Sequence, residues 1–154
     1  MGTGEGFLAL MLAERGFDVL GIDAAALDYS KNCLRNARER AQAEGRRVEF
    51  RQVDVTELGD EQGSFDYVVS SQAIHCMSDH RACVTAIHRL LRPGGWFLGM
   101  DFSVGLTGFR AHGFHGFLAL SAEEWDEILP ECGLEVVCVE GLGDYLIVAA
   151  RKPG

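Results

Sequence analysis

Short apolar strands and amphipathic helices alternate along nearly the whole chain, and that alternation restricts it to α/β layers. Residues 5–15 place Phe7, Leu8, Leu10, Met11 and Leu12 before Gly16, the pattern of a helix with a stop signal. FDVLGI (17–22) reads as a strand ending at Asp23. Leu27, Ser30, Leu34, Ala37 and Ala41 recur at helical spacing over 26–44, and Gly45 ends that helix. RVEFRQV (47–53) and FDYVVS (65–70) read as further strands, the first followed by Asp54. Cys83, Val84, Ile87, Leu90 and Leu91 make an amphipathic helix over 79–92, stopped by a tight turn at Pro93-Gly94-Gly95. WFLGMD (96–101) is the next strand. Ser121-Ala-Glu-Glu124 is a capping box opening a helix with Trp125, Ile128 and Leu129 inward, closed by Gly133. LEVVCVE (134–140) and YLIVAA (145–150) are joined only by Gly141–Asp144, so they form an antiparallel hairpin.

The 154 residues suit a single domain, 1–154. The net charge of −9 disfavours nucleic acid as a partner, because phosphate contacts need a basic face. No apolar run is long enough for a membrane span, and no basic region precedes the first apolar stretch as in a secretion signal. The five cysteines are scattered and form no C-x-x-C pair. They read as reduced thiols in a cytoplasmic protein.

Chemistry-bearing residues gather where strands end. Gly2, Gly4 and Gly6 form a glycine turn leading into the first helix, a place where backbone can approach an anionic or polar ligand. A dinucleotide fingerprint would need glycine at position 7, which is Phe7, and this argues against a nicotinamide oxidoreductase. Asp23 suits the two hydroxyls of a ribose, and equally an N-cap of the next helix. Asp54 suits an adenine amino group with the Val55 amide on a ring nitrogen, and equally a turn. His75, just past its strand, is a candidate general base or a structural histidine. Asp101 ends a strand and reads as a pocket or a turn residue. Residues 103–120 show no period and read as a lid. There Phe109, Phe114 and Phe117 offer apolar walls, while Arg110, His112 and His115 are acceptor contacts or surface.

In this order and spacing, Gly2-Thr-Gly4, VLGID, RQVDVTEL, FDYVVSSQAIH, RLLRPGGWFLGMDF and CGLEVVCVEGLGDYLIVAARK resemble a class I S-adenosylmethionine-dependent methyltransferase of small-molecule type. The resemblance implies a three-layer Rossmann-like sheet of seven strands, mostly parallel, with the last strand inserted antiparallel. It implies a small-molecule methyl acceptor and S-adenosylhomocysteine as product. Gly2 and Gly4 would flank the donor's methionine part, Asp23 would hold the ribose, and Asp54 and Val55 would hold the adenine. Ser71 and His75 would lie near the methyl, with His75, His112 and His115 the candidate bases. The family's motif reads acid-x-Gly-x-Gly-x-Gly, and Gly2 and Gly4 match its last two glycines. The acid, the first glycine and the preceding central strand are absent, so the chain is expected to be truncated within the motif. The alternatives to truncation are a second copy or a partner chain completing the sheet, or an altered sheet that fills the gap. The alternative expectation is a remnant that keeps the shell without binding the donor.

Overall fold

The computed structural model describes residues 1–24, 28–59, 61–103 and 119–154, with backbone only for 28–31. Two compact units form, Met1–Glu57 and Leu58–Gly154.

In the first unit, strands β1 (Val19–Asp23) and β2 (Val48–Gln52) pair in parallel, with Asp23 opposite Gln52. Helices α1 (Phe7–Glu14) and α2 (Asp28–Ala43) complete it. Both helices end as expected. The Gly16 and Gly45 backbones turn left-handed, at φ 87° and 64°. The next residue then bonds back: Phe17 N–H to Leu12 O, and Arg46 N–H to Ala41 O. This closure satisfies carbonyls that a helix end leaves orphaned. The core is Ala9 and Leu10 of α1, Leu34, Ala37 and Ala41 of α2, and Phe50 of β2. Burying such a set drives this unit together, at roughly 25 cal/mol per Å² of apolar surface. Thr3 N–H donates to Ile22 O at 2.9 Å, so the glycine turn itself takes up part of the β1 backbone.

In the second unit four strands lie in the order β3-β4-β6-β5. They are β3 (Phe65–Ser71), β4 (Leu91–Phe102), β5 (Glu135–Leu142) and β6 (Tyr145–Arg151). β3 and β4 are parallel, connected through α3 (His80–Leu90). β6 runs antiparallel to both β4 and β5. The inserted last strand and the C-terminal hairpin are therefore as expected. α4 (Ala122–Glu131) opens on the capping box: Glu124 N–H donates to the Ser121 hydroxyl, and Ser121 N–H to the Glu124 carboxylate. Phe97, Trp125, Ile87, Leu129 and Val148 are fully buried.

One expectation changes. Pro93-Gly94-Gly95 does not separate helix from strand, because β4 already begins at Leu91. Phe65 pairs with Leu91 and Tyr67 with Trp96, so residues 92–95 bulge from the strand. Proline lacks an N–H for the ladder and is tolerated in such a bulge. Gly94 N–H and Gly95 O are taken up by the Lys152 backbone, just beyond β6. A Cβ at Gly95 would meet Arg92 O at 2.9 Å, so the bulge excludes any side chain there. Leu27, residues 104–118 of the expected lid and the Ser30 side chain lie outside what is described.

Candidate functional site

The first unit brings the glycine turn, Asp23 and Asp54 to one end of its parallel pair. Gly2, Gly4 and Gly6 have φ of 62°, 49° and 80°, a region L side chains rarely adopt. Gly6 is also confined by packing: a Cβ there would sit 2.9 Å from Ala37 Cβ and 3.0 Å from the Phe50 ring. At Gly4 nothing lies within 4 Å of the place a Cβ would take, so its backbone borders open space. Gly4 N–H donates to Asp23 Oδ2 at 2.8 Å. Asp23 thus ties the turn to the carboxyl end of β1. Its Oδ1 carries no hydrogen bond among the described residues, which leaves an acceptor for a hydroxyl.

Just past β2, Asp54 Oδ1 accepts from Thr56 N–H at 2.8 Å and from the Thr56 hydroxyl at 2.6 Å. This Asx turn starts the 3-10 segment Val55–Glu57. The turn role weighed for Asp54 is therefore real, and it occupies one oxygen of two. The Val55 side chain is buried beneath. Val53 N–H bonds to Asp23 O at 2.9 Å, which locks the two strand ends side by side.

The second unit holds Ser71, half-buried at the end of β3, and His75 in the 3-10 segment Ile74–Cys76. His75 is 1% exposed. Its Nδ1–H donates to Asp101 Oδ1 at 2.6 Å and its backbone N–H to Oδ2 at 3.0 Å. Phe102 N–H also donates to Oδ1, at 2.8 Å. The Phe102 ring meets the imidazole edge-on, 5.1 Å between centroids. The bond to Asp101, helped by the Cys76 thiol, pushes the His75 pKa up to about 9. At neutral pH the ring is then an imidazolium. The raised pKa and the short contact pair the ring with the Asp101 carboxylate as an ion pair. His112, His115 and Arg110 lie outside the described residues.

Nothing in the sequence marks Asp101 as the anchor of His75, because the partners are far apart in the chain. Thr3, which holds the turn to β1, carries no signal either. Among the described residues no His, Cys, Asp or Glu cluster could hold a metal ion, and no helix is long and apolar enough to cross a membrane.

A family model described as a methyltransferase domain matches residues 1–99. The chain belongs to that family. This methyltransferase domain has the class I S-adenosylmethionine-dependent fold. It is 30% identical over 159 aligned residues to the ubiquinone biosynthesis O-methyltransferase of Acinetobacter baylyi, covering 92% of this chain and 64% of that protein. The chain therefore spans less than two thirds of that relative's length. Among solved structures it resembles phosphoethanolamine N-methyltransferase 2 of Haemonchus contortus, in complex with S-adenosyl-L-methionine. The TM-score is 0.84 at 23% identity, over 99% of this chain and 47% of that one. It also resembles the [4+2]-cyclase SpnF, with a TM-score of 0.83 at 22% identity, over 99% of this chain and 72% of that one. One fold thus hosts more than one chemistry, and the function must be argued from the site.

Proposed function

We propose that this domain transfers a methyl group from S-adenosylmethionine to an oxygen of a small-molecule acceptor in the cytoplasm. The observation that carries the reading is that Asp23, tied to Gly4, ends β1 while Asp54 follows β2 at the same end of the parallel β1–β2 ladder. The carboxylate chemistry fits adenosine. Asp23 Oδ1 accepts from the ribose diol while Oδ2 keeps the glycine turn in place. The second oxygen of Asp54 accepts from the adenine amino group, with the Val55 amide on a ring nitrogen. Gly2 and Gly4 let the backbone lie against the methionine part without a side chain intervening.

Bound S-adenosylmethionine supplies a methyl on positive sulfur: its C–S bond breaks as a C–O bond forms, leaving S-adenosylhomocysteine and a proton released to water. Because the methyl is already activated, the protein's task is positioning. His75 carries no proton-accepting role in this reading. The oxygen acceptor is favoured by the O-methyltransferase relatives.

Calorimetric titration with S-adenosylhomocysteine tests the donor site. Saturable one-to-one binding is expected, and Asp23→Ala should weaken it by about 1–3 kcal/mol, the worth of hydrogen bonds to a charged group. No heat from wild type at millimolar ligand would refute the reading. Unchanged affinity in the variant would refute the role of Asp23.

A further inference from the structure

Seven of the eight residues of α1, FLALMLAE, are apolar, and a helix that is apolar on every side belongs in a buried place. Here only Ala9 and Leu10 are buried, in the core of Met1–Glu57. Phe7 stands 66% exposed and Met11 44% exposed. At i and i+4 they share one face of the helix. With Leu10, Glu14, Arg40 and Glu44 they line an open groove.

The groove has a direction. The Arg40 guanidinium lies 3.9 Å over the Phe7 ring and 3.9 Å from the Glu5 carboxylate. Arg46 reaches Glu14 at 3.2 Å. The end of α2 therefore runs alongside α1 in the same sense, from Phe7 and Arg40 to Glu14 and Glu44. At the first end the cation is held by a ring and a long ion pair. At the second end Glu14 is paired with Arg46, while the Glu44 carboxylate has no partner among the described residues.

Such a surface matches itself. Turned about a two-fold axis across α1, the Arg40 end of one copy meets the Glu44 end of the other, twice over. An apolar face edged by carboxylates suits neither an anionic lipid surface nor a nucleic acid, both of which need basic side chains around it. Exposed aromatic, Met and Arg side chains in one patch are those enriched where proteins pair.

We propose that this groove is a homodimer interface: α1 packs antiparallel on α1 of a second copy, Phe7 and Met11 of each chain fill the groove of the other, and Arg40 of each pairs with Glu44 of the other.

Sedimentation velocity on the full chain over about 1–100 µM tests it. Wild type is expected to pass from monomer to dimer across that range. Phe7→Ser, at an exposed position, should keep the far-ultraviolet spectrum of wild type and weaken dimerisation about tenfold or more. Arg40→Glu and Glu44→Arg should each weaken it too, by setting like charges opposite one another. Mixed together, these two variants restore both pairs, so they should associate with each other about tenfold more tightly than either does with itself. The mixing result decides the matter even if Phe7→Ser unfolds, because it compares chains of intact apolar face. Wild type that stays monomeric throughout would overturn the proposal and leave the face to another partner. A folded Phe7→Ser chain that dimerises like wild type would also overturn it, since the interface would lie elsewhere. A mixture that associates no more tightly than its components would refute the pairing of Arg40 with Glu44 across the two-fold axis.

Discussion

The buried ion pair makes stability depend on pH in a defined direction. His75 holds its proton to about pH 9, against 6.5 for the ordinary side chain. Each pKa unit is worth about 1.4 kcal/mol, so the proton stabilises the fold by about 3 kcal/mol. A raised pKa means that the native state binds the proton more tightly than the unfolded chain. The stabilisation is therefore complete below pH 6.5 and is lost as pH rises through 9. The side chain is fully buried, so solvent screening takes little from it. Both tryptophans, Trp96 and Trp125, lie in the same unit as the pair, and their fluorescence reports its unfolding. Urea titrations at about pH 6 and about pH 9.5 should show the wild-type midpoint falling by on the order of 1–3 M, for a urea slope of about 1–3 kcal/mol per M. His75→Gln keeps an N–H for Asp101 but cannot titrate. The difference in pH dependence between wild type and variant reports the imidazole. Parallel pH dependence in wild type and variant would refute the ion-pair reasoning.

Three other substitutions probe the frame. Gly6→Ala forces a Cβ to 2.9 Å from Ala37 and imposes a left-handed side chain, and should cost about 1–3 kcal/mol in chemical denaturation. Gly4→Ala has open space around it and should cost only the conformational part, about 1–2 kcal/mol; an equal loss for both would mean that packing at Gly6 is unimportant. Ser121→Ala removes the hydroxyl that accepts from Glu124 N–H and should lower stability by about 1 kcal/mol in thermal melts, with Glu124→Ala on the Ser121→Ala background costing less than it does alone.

Helix ends were legible because glycine writes them chemically. Gly16, Gly45 and Gly133 each take the left-handed conformation that closes a helix, and no other residue does this so cheaply. The C-terminal hairpin was legible because so short a link forbids a crossover. The bulge at Pro93-Gly94-Gly95 was not, since the same triplet serves a turn or a bulge and only its bonds with Lys152 decide between them. That Asp23 and Asp54 fall at one end of the β1–β2 pair was legible because each follows a strand-like segment. What Asp23 does with each oxygen was not, because its partner Gly4 belongs to a different element. His75 shows the limit most clearly. A histidine after a strand suggests a base, and only the fold shows that Asp101 is the partner of its ring.

Donor binding through Asp23 and Asp54 together, beside the glycine turn, is tested most directly by a crystal structure of the chain with S-adenosylhomocysteine. The ribose hydroxyls are expected within hydrogen-bond reach of the Asp23 carboxylate and the adenine amino group at Asp54, with the Gly4–Asp23 bond kept. A nucleoside bound elsewhere, with both carboxylates in contact only with their present partners, would contradict it.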